Sequence, residues 1–425
     1  MPAESVTNGA DHDIFRPVPR TGVIYVMAEA AARGFRYGHP DWANLGQGAP
    51  ETGPLPGAEA RIRSIEIADE AHEYAPVGGL MALRDAVAQL YNARFRRGMP
   101  SQYSAENVAI SAGGRTALTR IAASLGNIHL GHVLPDYTAY EELLTIFRAF
   151  VPIPIVLDRA EGFALSPARL RAEIVGKGLS AILLSNPCNP TGQAVRGGGL
   201  RAWVDIARQL DCALIFDEFY AHYLYESAAH SDGPALSAAR YVEDVDRDPV
   251  LVVDGLTKNW RYPGWRLAWT LGPKQVIDRA ISAGSFLDGG PSHPLQCAAV
   301  PLLDRDRADG EARAIQAAFG AKRQLMMERL RAMGMYVDPP PMGAFYCFAS
   351  LEHLPTEIAD GHAFFRAALE KNVIVVPGEF FDVNPGKRRS HIPSRMRQFV
   401  RLSFGPEVQA VRMGLDRIDA VIRGA

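Results

Sequence analysis

The run Asp254-Gly-Leu-Thr-Lys258-Asn-Trp-Arg-Tyr-Pro-Gly-Trp-Arg266 follows directly on an apolar, strand-like stretch, Pro249 to Val253. A lysine therefore sits just past a strand end, with an arginine a short way beyond it. Most lysines are solvated surface charges, and Lys258 taken alone reads as one. Segments on either side of the run supply complementary chemistry and change that reading.

Working outward, the chain alternates helix and strand. Asn107 to Ser111, Ala181 to Ser185, Cys212 to Asp217, Val250 to Asp254 and Leu267 to Leu271 read as strands. Leu80, Leu83, Val87, Leu90 and Tyr91 keep helical spacing, Arg115 to Ser124 reads as a helix, and Leu200, Trp203, Val204, Ala207 and Leu210 form a helical stripe. This alternation predicts an α/β fold, a parallel or mixed sheet with helices on both faces. Sites in such folds gather at the carboxyl ends of the strands. Tyr25 to Phe35 has a helical pattern, and Asn44 to Pro50 is a turn-rich connector. Residues 1 to about 20 read as a loose polar arm. A boundary is expected near Asp304 to Gly310, before a long helix over Glu311 to Met333. The resulting division is an N-terminal arm and small-domain segment (1–60), a large domain (61–304) and a small C-terminal domain (305–425).

Bulk composition excludes several classes. The chain has 425 residues, 48% of them hydrophobic, enough for a large core and a smaller second domain. A net charge of −2 offers no global attraction to nucleic acid or membrane. Cys188, Cys212, Cys297 and Cys347 form no CxxC pair, so neither a zinc site nor a disulfide framework is expected, and a reducing cytoplasm is the default. Met1 to Asp13 is polar and acidic, which argues against a signal peptide. No apolar stretch is long enough to span a bilayer.

The remaining segments fit the needs of one cofactor. Pyridoxal phosphate chemistry takes a lysine amine for a Schiff base, an anion beside the pyridine nitrogen, and cations and N–H groups at the phosphate. Lys258 is the candidate amine; burial near other cations would make it usable by lowering its pKa. Arg266 offers a planar fork for the phosphate, or a structural ion pair. Asp217 ends an apolar strand, where it can hold the pyridine nitrogen protonated or serve as a helix N-cap. Ser185-Asn-Pro-Cys-Asn189-Pro190-Thr-Gly192 is a double Asn-Pro turn; Asn189 can donate to a ring oxygen, or the segment is a plain turn. Ser111-Ala-Gly-Gly114-Arg115 is a glycine turn opening a helix, which offers free N–H groups to a phosphate.

In this order, from about Asn44 to about Gly405, the segments resemble the class I/II aminotransferases, which are fold type I pyridoxal-phosphate-dependent enzymes. The resemblance implies a large domain with a mostly parallel, seven-stranded-type sheet between helices. It also implies a smaller α/β domain made from the C-terminal part and the N-terminal segment. It implies pyridoxal 5′-phosphate as cofactor, Lys258 as Schiff-base lysine and Asp217 as partner of the pyridine nitrogen. Tyr220 and Asn189 would bond the ring's 3-oxygen, and Tyr137, in Pro135-Asp-Tyr-Thr-Ala-Tyr140, would stack on the ring. Gly114 and Arg115 would give backbone N–H groups to the phosphate, and Arg266 would bind it as a cation. Tyr74, in Tyr-Ala-Pro-Val-Gly-Gly79, resembles the tyrosine that reaches the neighbouring subunit's phosphate in a homodimer with shared active sites. Gly48 matches a backbone contact near the substrate carboxylate, and Arg401, in Val-Arg-Leu-Ser-Phe-Gly405, the arginine that clamps it. Pro341-Met-Gly-Ala-Phe-Tyr346 and Val376-Pro-Gly378 are further landmarks.

Two departures stand out. Gly255 occupies a position where many members carry a phosphate-binding serine, leaving Thr257 to keep the hydroxyl role. The stretch from Gly378 to Arg401 is long and carries Lys387, Arg388, Arg389, His391, Arg395 and Arg397, a basic cluster expected in a loop. The resemblance favours transamination between an α-amino acid and a 2-oxo acid. One rival is a lyase, cyclase or synthase using the same constellation. The other is a ligand-sensing domain of the kind joined to a winged helix in some regulators. Against the second, only about 40 residues precede the first motif, too few for an independently folded DNA-binding domain.

Overall fold

The computed structural model of the protein describes Val18, Arg20, residues 22–225 and residues 233–425. The expected N-terminal arm, including the Met1 to Asp13 stretch, otherwise lies outside the described residues. In chain order the first half contains α1 (Gly22–Ala32), β1 (Ala43–Asn44), α2 (Met81–Phe95), β2 (Val108–Ser111), α3 (Gly114–Ser124) and β3 (His129–Leu134). There follow α4 (Tyr140–Ile146), β4 (Val151–Val156), α5 (Pro167–Lys177), β5 (Leu179–Ser185), α6 (Gly197–Leu210), β6 (Ala213–Asp217), β7 (Val250–Gly255) and β8 (Ala268–Leu271). The remainder is α7 (Lys274–Leu287), α8 (His293–Ala299), α9 (Arg305–Ala332), β9 (Tyr346–Ser350), α10 (Gly361–Glu370), β10 (Val373–Ile374), β11 (Val376–Pro377), β12 (Phe399–Ser403) and α11 (Val408–Arg423).

The apolar runs become a seven-stranded sheet in the order β2-β8-β7-β6-β5-β3-β4. Every neighbouring pair is parallel except those of β8, which runs antiparallel to both β2 and β7. Parallel strands put their carboxyl ends on one edge, and the reversed β8 brings its beginning to that same edge. Leu214, Ile215 and Phe216 in β6, and Leu251, Val252 and Val253 in β7, are all buried. Burying each such side chain stabilises by roughly 1.5–3 kcal/mol, so the two central strands are firmly held. Strand β4 reads Val-Pro-Ile-Pro-Ile-Val and lies at the sheet edge, where proline is tolerated because its missing N–H faces no partner.

The two chain ends meet away from this sheet. β1 pairs in parallel with β10, and β11-β12-β9 form an antiparallel sheet in which Arg401 lies opposite Phe348 and Val376. Helix α9 starts at Arg305, earlier than the expected Glu311, because the Asp304 carboxylate caps it by accepting from the N–H groups of Asp306 and Arg307 at 3.0 Å each. The first turns of α9 are strongly charged, so no apolar stripe announced them. The basic stretch is pinned by local ion pairs: Lys387 with Glu141, Arg389 with Asp382 at 2.8 Å and Arg397 with Asp360 at 2.7 Å. No helix of the described residues is long and apolar enough to cross a membrane.

Candidate active site

Five strand ends deliver side chains to one edge. β2 leads to Gly113 and Gly114, β3 to Pro135, Asp136 and Tyr137, β5 to Asn189, β6 to Asp217 and Tyr220, and β7 to Thr257 and Lys258. Arg266 immediately precedes the reversed strand β8, so it arrives at the same edge from the opposite chain direction.

Lys258 is half-buried, and its Nζ donates to the Gly48 carbonyl. Burial, then the positive charges of Arg266, Arg401 and Arg115, bring its pKa down to about 7, while Asp217 opposes them. An amine in that range is largely neutral just above neutrality, as a nucleophile must be. Asp217 is buried and accepts from Tyr140 Oη at 2.9 Å and, at 3.4 Å, from the Phe219 N–H. Burial pushes its carboxyl up to about 6 despite those bonds. The helix N-cap alternative is thus met only by the long Phe219 contact; the shorter bond runs to a side chain at the site.

Tyr220 Oη and Tyr346 Oη share a hydrogen bond of 2.9 Å, and a Cβ on Gly48 would lie 3.0 Å from Tyr346 Oη. Arg401 is fully buried and has no carboxylate partner among the described residues. Its Nη1 donates to Asn189 Oδ1 at 2.9 Å and its Nη2 to the Gly46 carbonyl at 2.6 Å. Its guanidinium carbon lies 4.3 Å from the Tyr346 ring centroid and 5.0 Å from that of Phe381. A desolvated cation held by neutral groups is costly unless an anion joins it. With Asn189 Oδ1 occupied by Arg401, the amide's N–H donors are the end left to serve another acceptor.

At the other end of the cleft, Gly113 has φ of 95° and forms the N-cap position of α3. A Cβ there would lie 2.2 Å from Arg266 Nη2, so only glycine lets the guanidinium close over the helix terminus. Arg266 Nη1 donates to the Pro263 carbonyl at 3.1 Å, and Arg266 has no carboxylate partner among the described residues, which disfavours the structural ion pair. Arg115 donates to Tyr137 Oη at 3.0 Å. Gly255 has no room for a side chain, because a Cβ would lie 2.5 Å from the Leu267 carbonyl oxygen and 2.6 Å from Ala268 Cα. The missing serine is therefore dictated by the close approach of β8. Thr257 Oγ1, two residues on, is buried with no hydrogen-bond partner among the described residues.

Tyr74 does not join these residues; it is 97% exposed. Its segment is anchored on the fold by the Arg120–Val77 carbonyl bond at 3.1 Å and the His293–Glu73 carbonyl bond at 3.0 Å. Three contributors escaped sequence reasoning. Tyr140 and Asp136 belong to the Pro135–Tyr140 run, in which the sequence singles out Tyr137, and Tyr346 belongs to the Pro341–Tyr346 landmark. Their position beside strand ends was the available signal.

Pyridoxal 5′-phosphate fits this donor set. The unpartnered Thr257 hydroxyl, the fork of Arg266 with no carboxylate on it among the described residues, and the opening of α3 suit a phosphate. Asp217 suits a pyridine nitrogen, and the Lys258 amine an aldehyde carbon.

Comparison with known proteins gives the family. Residues 40–418 match the family model "Aminotransferase class I and II". The chain is 29% identical over 357 residues to the aspartate/prephenate aminotransferase of Thermus thermophilus, covering 82% of this chain and 83% of that protein. It is 29% identical over 387 residues to a probable N-succinyldiaminopimelate aminotransferase of Mycobacterium tuberculosis, covering 89% and 91%. Among solved structures, the aspartate aminotransferase of Thermus thermophilus with maleate superposes with a TM-score of 0.75 at 25% identity, covering 96% of this chain and 100% of that one. Fold, site and match define a fold type I transferase of amino groups. The chain belongs to the class I and II aminotransferases, a pyridoxal-phosphate-dependent family whose substrates are amino and 2-oxo acids. Neither the lyase reading nor the sensing-domain reading is favoured.

Proposed function

We propose that the cleft binds pyridoxal 5′-phosphate on Lys258 and exchanges amino groups between an α-amino acid and a 2-oxo acid in a homodimer. Lys258 carries this reading: a lysine with its amine on a carbonyl, under three guanidinium groups, is poised to be neutral where a solvated lysine is charged. The cofactor supplies an aldehyde carbon and a pyridinium ring that withdraws electrons from the substrate α-carbon. Lys258 Nζ would take the substrate α-proton as general base and later give a proton back as general acid. Asp217 Oδ keeps the ring nitrogen protonated, with Tyr140 fixing its orientation. Asn189 and Tyr220 would donate to the ring's 3-oxygen, and Tyr137 would cover the ring face. Arg266, Thr257 Oγ1 and the Gly114 and Arg115 N–H groups hold the phosphate. Arg401 clamps the substrate carboxylate, next to Gly48.

Tyr74 supports the homodimer, since its hydroxyl is free to reach a second copy's phosphate. The division into residues 1–60, 61–304 and 305–425 follows the same reading, with β1 and β10 joining the outer segments. Four free cysteines support a cytoplasmic setting. A screen of amino donors against 2-oxo acids tests the activity. It starts with aspartate and prephenate, after which relatives are named, and expects labelled nitrogen in the new amino acid. Release of ammonia with no acceptor aminated would overturn transamination. Mixing Tyr74→Ala with Lys258→Ala subunits should restore partial activity through hybrid dimers; a fully active monomer would overturn the shared site.

A further inference from the structure

Asp136 is buried at the carboxyl end of β3, yet the reaction just described does not use it. Its Oδ1 accepts from the Tyr137 N–H at 2.7 Å and from Ser185 Oγ, and its Oδ2 accepts from the Ser185 N–H at 3.0 Å. Ser185 Oγ in turn accepts from the Asn189 N–H at 3.2 Å. The Asp136 N–H donates to the Phe381 carbonyl at 3.1 Å, and the Phe381 ring is one of the two flanking Arg401. No cation forms an ion pair with Asp136 among the described residues. Burial pushes its carboxyl up to about 8 against the hydrogen bonds it accepts. A buried carboxyl group carries a desolvation cost, and an apolar residue would avoid it. What the group provides is convergence: three donors, one from the loop after β3 and two from the last residue of β5, end on one side chain.

Resting on the proposed binding of pyridoxal 5′-phosphate, we propose that Asp136 is a positioning residue that sets Tyr137 and Asn189 together, fixing the ring face and the 3-oxygen side of the cofactor through one carboxyl group. An amide at this position keeps the shape but offers one acceptor oxygen to three donors, so one tether breaks. Ser185→Ala cuts the same link from its other end without touching Tyr137.

The test measures two quantities on the holoenzyme and its cofactor-free form: the Kd for pyridoxal 5′-phosphate, and the pH midpoint of the bound cofactor's visible absorption band. Asp136→Asn should weaken the Kd by about tenfold, the scale of one hydrogen bond to a charged group. It should also displace the band midpoint, which a merely structural role would leave alone. Ser185→Ala should change both in the same direction by less. The double variant should fall short of the product of the two single effects, because they share one tether. Variants with lowered Tm but unchanged Kd and band midpoint would overturn the proposal. So would Ser185→Ala indistinguishable from wild type, should Asp136→Asn not fold. A wild-type protein that binds no pyridoxal 5′-phosphate would overturn the cofactor reading itself; that outcome is distinct from wild-type binding with unaffected variants.

Discussion

Asp217 and Asp254 sit at the carboxyl ends of adjacent strands, β6 and β7, and both are buried. Asp254 is fully engaged: Tyr91 Oη donates to it at 3.2 Å, the Gly255 N–H at 2.6 Å and Asn259 Nδ2 at 2.7 Å. Burial pushes its carboxyl up to about 7. Asp217 has Tyr140 and one long backbone contact, and it lies close enough to Lys258 to oppose the depression of that lysine's pKa. On the proposed reading, a strand-end carboxylate serves the reaction or the fold according to what remains free on it. Asp254 closes a network behind the sheet edge, while Asp217 faces the cleft with bonding capacity to spare.

Replacing each aspartate in turn breaks the comparison most sharply. Asp217→Ala should lower turnover by about 10²–10³, the scale of losing a charge aimed at the reacting group, and leave Tm near wild type. Steady-state rates at saturating cofactor, measured beside a melting curve, check this; near wild-type turnover would place the electron-sink role elsewhere. Arg401→Lys keeps the charge and loses the fork, and should cost on the order of tenfold in kcat/KM with cofactor occupancy unchanged. Unchanged half-reaction rates with a lowered Tm would instead make Arg401 a structural partner.

The pH dependence sharpens the same division. Only neutral Lys258 attacks an aldehyde, so capture of pyridoxal 5′-phosphate by the cofactor-free protein should rise with pH through about 7 and level off above it. A solvated lysine would still be rising near pH 10. Stopped-flow capture rates across pH decide, and Arg401→Gln, by removing one of the three cations, should move the midpoint upward. The smallest kinetic effect is expected at Asp254. Asp254→Ala leaves Tyr91, Gly255 and Asn259 donors unpaired and should cost about 3 kcal/mol of stability, while turnover per folded molecule stays within about twofold. A large kinetic loss in a stable Asp254→Ala protein would erase the distinction between the two aspartates.

The sequence showed one half of this contrast more clearly than the other. β5, β6 and β7 were legible because buried parallel strands read as continuous apolar runs, and their polar last residues marked the site edge. β4 was hidden by its prolines and β3 by two histidines and a glycine, residues that edge position and packing tolerate. Lys258, Asp217, Asn189 and Arg266 stand in local motifs. Their partners do not: Tyr140 reaches Asp217 across 77 positions and Tyr346 reaches Tyr220 across 126, and such pairings exist only once the strands are laid side by side. For the same reason Asp217 and Asp254 read alike in sequence, and Gly255 read as a lost donor rather than a position with no room for a side chain.

The account rests on Lys258 as the residue that holds the cofactor. Borohydride reduction of the protein loaded with pyridoxal 5′-phosphate, followed by peptide mapping, tests it directly. The label should fall on the peptide containing Lys258 alone and be absent from Lys258→Ala; label on any other lysine, or none on the wild type, would contradict it.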